Sequence, residues 1–204
     1  RYHDGPGERE EYRVQRLDVP DDVRFEEPNV YLMDYAEWEI DSDGWQSQDN
    51  ILRVDTKIRE KLGWPVRSHK NVEQPWVRES EQEEEYPLKL RYMIYSEIEC
   101  EGMLALERPQ DLELYFNGEK KECAPEGYFV DKSIPVLKGF RVRRGENTIE
   151  VRLRYSRLTN LESMYFLGDF GVAVHGDRTA LTRRKREIRI GDIVLQGYPF
   201  YGGN

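Results

Sequence analysis

The sequence has few cysteines, few histidines and no long apolar run. Its two cysteines, Cys100 and Cys123, are too few for a disulfide framework or a cysteine-based zinc site, which leaves two free thiols or a single bridge. The three histidines lie far apart in the sequence and belong to no metal-binding motif. No stretch reaches the roughly 18 consecutive apolar residues of a membrane helix. We therefore predict neither a metal site nor a membrane partner.

The sequence also lacks the short motifs of several enzyme classes. It contains no Gly-x-Ser-x-Gly nucleophile elbow, no Gly-x-Gly-x-x-Gly dinucleotide fingerprint and no Walker sequence. We accordingly predict no catalytic residue and no cofactor. The 40 acidic residues guarantee carboxylate pairs by chance, and the sequence cannot select one, so a stand-alone glycosidase that uses a carboxylate pair is an alternative.

The charge balance argues against a nucleic-acid partner. The 40 acidic residues outnumber the 31 basic ones, and the net charge of −9 repels phosphate backbones. Residues 183–186 are an exception, because they form a run of four consecutive Arg and Lys side chains. This run could attract an anion, but no tyrosine is interleaved with it. We expect it to be a solvated turn that precedes a strand.

Most of the chain has the pattern of short β-strands between turns. In residues 148–156, apolar and charged side chains alternate, which predicts that Ile149, Val151, Leu153 and Tyr155 face a core. Strand-like segments recur about every 8 to 12 residues, as in a β-sandwich or barrel. The predicted strands are residues 30–40, 88–98, 103–107, 112–116, 127–131, 134–142, 148–156, 164–174, 187–195 and 198–201.

Two Asx-Gly pairs predict tight hairpins, and one segment predicts a helix. Asp43-Gly44 and Asn117-Gly118 are typical of type I′ turns. Residues 48–62 carry apolar side chains at helical spacing, and Gly63 with Pro65 ends the pattern. The acidic run 79–85 is expected to be a solvated link.

We predict three parts along the chain. Residues 1–28 are a polar N-terminal segment, residues 29–195 form the β-sandwich domain, and residues 196–204 begin a following domain. An Arg at position 1 and an end directly after an aromatic run favour a piece of a longer protein.

Four aromatic residues in predicted loops or at strand ends are candidate ligand contacts. A flat indole or phenol ring can stack on the apolar face of a sugar while its polar tip stays in water. The candidates for carbohydrate binding are Trp45, Trp64, Trp76 and Tyr128. A Trp beside a Pro can equally serve to pack an irregular loop, so packing and binding are both open at each position.

One series of motifs resembles a known family. Asn117-Gly118 follows a strand, residues 127–131 read Gly-Tyr-Phe-Val-Asp, Leu137-Lys138 follows, and residues 145–151 read Gly-Glu-Asn-Thr-Ile-Glu-Val. The series is similar to that of the galactose-binding-like jelly-roll domains of multidomain bacterial glycoside hydrolases. Family 2 β-glycosidases and α-L-rhamnosidase-like enzymes carry the most similar domains. The resemblance covers residues 86–174.

The resemblance implies both a fold and a role. The implied fold is mainly β, a jelly-roll β-sandwich, to which the residue pattern adds one short helix in the N-terminal third. The implied role is that of a non-catalytic accessory module, architectural or carbohydrate-binding, because the cleaving carboxylates of such enzymes lie in a separate domain. Carbohydrate or the catalytic domain of the same polypeptide would be its partner. A protein-interaction β-sandwich without affinity for sugar is a further alternative.

Overall fold

A computed structural model describes residues 25–67, 84–176, 178–185, 187–189 and 191–203. Within these ranges the chain forms two β-sheets, one α-helix and two short 3₁₀ turns. The predicted mainly β sandwich with a short helix in its N-terminal third is confirmed, whereas the jelly-roll topology stays a prediction.

The described strands are numbered in chain order. They are β1 (Asn29–Met33), β2 (Tyr35–Ile40), β3 (Gln46–Asn50), β4 (Tyr86–Ser96), β5 (Cys100–Ala105), β6 (Leu112–Phe116), β7 (Glu119–Lys121), β8 (Tyr128–Phe129), β9 (Asp131–Val142), β10 (Gly145–Tyr155), β11 (Met164–Gly168), β12 (Gly171–His175) and β13 (Arg178–Thr182). The helix α1 spans Ile51–Lys61.

The smaller sheet is antiparallel and has the strand order β1, β11, β5, β9, β8. The larger sheet has the order β12, β13, β4, β10, β6, β7. Strand β2 also pairs with the first half of β4 and carries β3 on its other edge, while β13 pairs with the end of β4 in parallel. The main core lies between the two sheets.

Strand β10 follows the predicted alternation. Ile149, Val151 and Tyr155 are buried in the core, and Leu153 packs against it while half-buried. The arginines between them point to solvent. The predicted core face of this strand is confirmed.

The helix ends near Gly63 as its sequence predicts, but it begins at Ile51, because residues 48–50 of the predicted helix belong to β3. The side chain of Asn50 accepts a hydrogen bond from the amide of Leu52 and caps the first turn. Gly63 follows the last turn with a φ of 68°, a conformation that favours glycine. Ile51, Val54 and Ile58 are fully buried, so the apolar face of α1 packs on the sandwich.

A buried charged pair attaches the helix to β10. The Arg59 guanidinium Nε donates to Asp55 Oδ2 at 2.9 Å, and the Tyr155 hydroxyl donates to Asp55 Oδ1 at 2.6 Å. All three residues are buried. Burial, together with the hydrogen bond to the Asp55 carboxylate, raises the pKa of Tyr155 well above its ordinary value. The hydroxyl therefore stays a donor to Asp55.

Two asparagines fix neighbouring turns at one end of β10. Asn117 and Gly118 both have positive φ, as the predicted hairpin between β6 and β7 requires. The buried Asn147 amide donates to the carbonyl of Arg143 at 2.8 Å, and its oxygen accepts from the Asn117 side chain at 3.0 Å. The turn residues of the family-like motif are thus hydrogen-bonded to each other.

The prediction of a turn at Asp43-Gly44 is shifted by two residues. The amide of Asp43 donates to the carbonyl of Ile40, so Asp41 and Ser42 are the central residues of the turn. Both have positive φ, as a type I′ turn requires. Gly44 instead bends the chain toward β3 with a φ of 85°.

Other predictions are wrong near the C-terminus. The described residues of 187–195 and residues 198–201 form no strand, and residues 164–174 form two strands instead of one. The side chain of Gln196 explains the first difference, because it accepts from the amide of Arg189 and donates to its carbonyl. These bonds satisfy backbone groups that a neighbouring strand would otherwise pair.

The last described residues pack onto the sandwich. The amide of Val172 donates to the carbonyl of Gly197, and the buried Asn29 side chain donates to the same carbonyl at 2.8 Å. Tyr198 is buried and stacks on Phe25 with ring centroids 4.4 Å apart. Residues 196–203, predicted as the start of a following domain, therefore contact this one.

The two cysteines are free thiols, both half-buried. Burial raises the pKa of Cys100 and of Cys123 above the ordinary value. Residues 1–24 of the predicted polar segment lie outside the described residues, and so do residues 79–83 of the predicted acidic link.

We expect the Asp55→Ala variant to be less stable by about 3 to 5 kcal/mol, because it leaves the Arg59 guanidinium buried without its carboxylate. Urea unfolding followed by circular dichroism measures the loss. Glu60→Ala, at an exposed position of the same helix, is the control and should change stability little. Equal losses in the two variants would show that the buried pair is not stabilising.

A methyl group at position 102 should be costly, because a Cβ built on Gly102 overlaps the Phe166 ring. We expect Gly102→Ala to lower the free energy of unfolding by about 1 to 3 kcal/mol through overpacking. Gly202→Ala is the matched control, since a Cβ there meets open space. A Gly102→Ala protein as stable as the control would contradict the described packing of β5 on β11.

Candidate functional site on the outer face of the larger sheet

The outward side chains of five strands form one row across the larger sheet. Glu37 on β2 pairs with Arg91 on β4, Arg91 with Glu150 on β10, Glu150 with Tyr115 on β6, and Tyr115 with Lys120 on β7. Outward and inward side chains alternate along each strand, so all five face away from the core. We call these five residues the charged row.

Arg91 is at the centre of this arrangement. Its guanidinium lies 3.5 Å from a carboxylate oxygen of Glu37 and 3.2 Å from one of Glu150. The same group lies 3.8 Å from the ring centroid of Trp45, which the hairpin between β2 and β3 brings over the sheet. Trp45 is 36% exposed, so part of its indole faces solvent.

Glu150 connects the two arginines of the site. It accepts from Arg152 Nε at 2.8 Å and from Arg91 at 3.2 Å. Burial acts to raise the pKa of Glu150, but these hydrogen bonds and the two positive charges lower it below the ordinary value. Its carboxylate is therefore charged at neutral pH and holds both guanidinium groups in place.

A second aromatic ring lies on the same face. The Arg152 guanidinium is 4.2 Å from the ring centroid of Tyr115, and the Tyr115 hydroxyl donates to Glu113 at 3.2 Å. Lys120 also pairs with Glu113. The face thus presents two rings among fixed carboxylates and guanidinium groups, a set that can stack on a flat apolar surface and bond to neighbouring hydroxyls.

The structure separates the four candidates that the sequence predicts. Trp45 lies at the charged row. Trp64 is 6% exposed and stacks on Tyr155 in the core, so its ring packs the end of the helix. Tyr128 is exposed on β8, at the edge of the other sheet, and Trp76 lies outside the described residues.

Arg91, Tyr115 and Glu150 were not predicted from the sequence as site residues. Each occupies an outward position in a strand whose alternation is readable in the sequence. Their proximity depends on which strands pair and in which register, and the alternation alone carries no such information. The opposite charges of Arg91 in β4 and Glu150 in β10 are the one signal in the sequence that could have indicated this proximity.

The described residues contain no candidate metal site. No three His, Cys, Asp or Glu side chains come together as ligands among the described residues. In the same ranges, no helix is long and apolar enough to cross a membrane.

Comparisons with protein-family models, with curated proteins and with solved structures find no match for this chain. The resemblance to galactose-binding-like domains consequently stays a prediction.

We expect Glu150→Gln to lower the free energy of unfolding by about 1 kcal/mol at pH 7, because hydrogen bonds to a charged acceptor are lost. The pKa of Glu150 is lower in the folded than in the unfolded chain, so its stabilisation exists above the unfolded pKa of about 4.3 and is lost as the pH falls through the folded value. Urea unfolding at several pH values should therefore show a difference from the wild type that shrinks below about pH 4.

Glu146→Gln is the control for this experiment, because Glu146 is exposed on the same strand. A pH-independent difference for Glu150→Gln would contradict the ion-pair role of this carboxylate.

Proposed function

We propose that this chain is a non-catalytic accessory module of a carbohydrate-active enzyme and that its outer sheet face binds saccharide. The observation that carries the proposal is the position of Trp45. Its part-exposed ring lies against the Arg91 guanidinium, and this guanidinium lies between the carboxylates of Glu37 and Glu150. A stacking surface beside planar hydrogen-bonding groups is the chemistry that a sugar ring requires, with its apolar face and its vicinal hydroxyls.

The rigidity of the site supports this proposal. Arg91, Glu150 and Tyr115 project from paired strands. Arg91 bonds to Glu150, and the Tyr115 ring lies against the Arg152 guanidinium. Groups that are fixed before binding lose little conformational entropy when a ligand arrives. The module would therefore bind without reorganising its sheet.

The charge compensation at the site also suits a neutral ligand. Arg91 lies between Glu37 and Glu150, and Arg152 bonds to Glu150. Lys120 pairs with Glu113 beside the row, so each positive charge at the site has a carboxylate partner, which suits a polar but uncharged molecule such as a neutral sugar. The motif resemblance to domains of glycoside hydrolases points to the same class of ligand.

An architectural role is the second candidate, and a separate observation favours it. The outer face of the smaller sheet carries its own apolar cluster of Val30, Ala105, Val136 and Leu167. Half-buried Met103, Phe129, Ile134, Tyr165 and Phe200 pack on it. The four cluster residues are buried, so the part-exposed apolar surface comes from these half-buried side chains, and such a surface suits packing against another domain of the same polypeptide.

Substitution of Trp45 by Ala tests saccharide binding. A glycan array first identifies a ligand for the wild type, and calorimetry then gives its affinity. We expect Trp45→Ala to bind about fivefold or more weakly, since one aromatic contact contributes roughly 1 kcal/mol. Its melting temperature should stay nearly constant, because the ring is part-exposed.

Two further variants serve as controls. Tyr128→Ala removes an exposed ring at the edge of the smaller sheet and should leave affinity unchanged, whereas Trp64→Ala should lower the melting temperature through lost core packing. If the wild type binds no saccharide at millimolar concentration, the binding role fails and the architectural role stands.

A further inference from the structure

One end of the sandwich has an open cleft of about 1360 Å³. Three turns contribute to its wall, namely those between β4 and β5, between β9 and β10, and between β11 and β12. The segment after β13 supplies most of the rest, together with Phe25, which precedes β1. The charged residues of the wall are Glu99, Arg144, Asp169, Arg183, Arg184 and Lys185.

Both acidic side chains of the cleft already have cationic partners. Asp169 Oδ1 lies 2.6 Å from a guanidinium nitrogen of Arg184. A carboxylate oxygen of Glu99 lies 3.7 Å from a guanidinium nitrogen of Arg141. Neither carboxylate is left to neutralise a further cation.

The remaining cations have no such compensation. Arg144 and Arg183 form no ion pair with any residue that the structure describes, and Lys185 donates to the carbonyl of Leu195, a neutral acceptor. The cleft thus carries an excess of positive charge, although the whole chain has a net charge of −9. A concave wall with one sign of charge attracts small ligands of the opposite sign.

The backbone beneath these cations is held in place. Asn147 bonds to both the amide and the carbonyl of Arg143, next to Arg144. Arg184, between Arg183 and Lys185, donates through Nε to the hydroxyl of the buried Tyr198 at 2.9 Å. Both cationic segments are therefore anchored by a neighbouring side chain.

The cleft also offers apolar surface beside the charges. Phe25, Ile98 and Ile188 line it and are half-buried. A ligand with an apolar ring face and an oxyanion substituent fits this combination, and guanidinium groups bind carboxylate and sulfate with matched geometry.

We propose that this cleft binds the carboxylate or sulfate group of an acidic saccharide. The proposal rests on the proposed carbohydrate-binding function and names the sugar class that this end of the module recognises. The cleft is distinct from the charged row, whose positive charges are compensated by carboxylates. Neutral and acidic sugars should consequently respond to different substitutions.

Calorimetry with three probes tests the proposal. The probes are a tri-galacturonate, the corresponding neutral trigalactoside and a sulfated disaccharide, with inorganic sulfate as the reference anion. We expect the wild type to bind an acidic saccharide more tightly than the neutral one. The double variant Arg144→Gln with Arg183→Gln should lose about tenfold or more of this affinity, because each lost charged hydrogen bond is costly.

Lys132→Gln is the matched control, since Lys132 is exposed at the start of β9 and does not line the cleft. It should leave the affinity for acidic sugars unchanged. Thermal unfolding should show that the double variant is folded, because neither arginine has a partner among the described residues.

The outcomes separate this proposal from the one on the outer sheet face. Equal binding of neutral and acidic sugars, unaffected by the double variant but weakened by Trp45→Ala, would overturn the cleft proposal and leave the proposed function intact. Inorganic sulfate binding as tightly as the acidic saccharides would overturn the saccharide assignment. Absence of binding to every sugar would overturn both.

Discussion

The register between β4 and β10 determines most of this structure. The two strands pair from Gly145 opposite Ser96 to Tyr155 opposite Tyr86, and a shift by one residue would turn every side chain to the other face. The inward set forms the centre of the core and brings Tyr155 to the buried Asp55 of the helix. The outward set places Glu150 beside Arg91. The core, the helix attachment and the candidate site therefore depend on one pairing.

The two candidate surfaces differ in how their charges are compensated. On the larger sheet, strand pairing puts each arginine next to a carboxylate, so the field is local and the rings are held in fixed positions. In the end cleft, the cations lie in a turn and in the segment after β13, where no neighbouring strand supplies a regular opposite charge. Strand pairing thus compensates the charges on the face, whereas the end cleft keeps an excess of positive charge, and the two proposed ligand classes follow from this difference.

Local patterns predicted the elements well, and non-local contacts explain the failures. The alternation of β10 and the end of the helix at Gly63 are properties of short segments, so the sequence was sufficient for them. The predicted start at residue 48 was wrong, because Asp49 and Asn50 pair with β2 as the end of β3. The segment 187–195 has strand-like composition but bonds to the Gln196 side chain instead, a competition that propensity cannot show. Among the candidate rings, Trp45 and Trp64 look equivalent in sequence. Only the long-range contact with Tyr155 makes one of them a core residue.

The buried amide of Asn29 joins parts of the chain that are made at very different times. It donates to the carbonyls of Phe170 and Gly197, residues that follow it by 141 and 168 positions. At a synthesis rate of about 5 to 20 residues per second, β1 leaves the ribosome on the order of ten seconds before its partner β11. During that interval Val30, Tyr31 and Met33 belong to an unpaired apolar strand. Folding on the ribosome therefore cannot complete the smaller sheet before β11 has emerged, and an unpaired apolar strand edge is an aggregation hazard for that time.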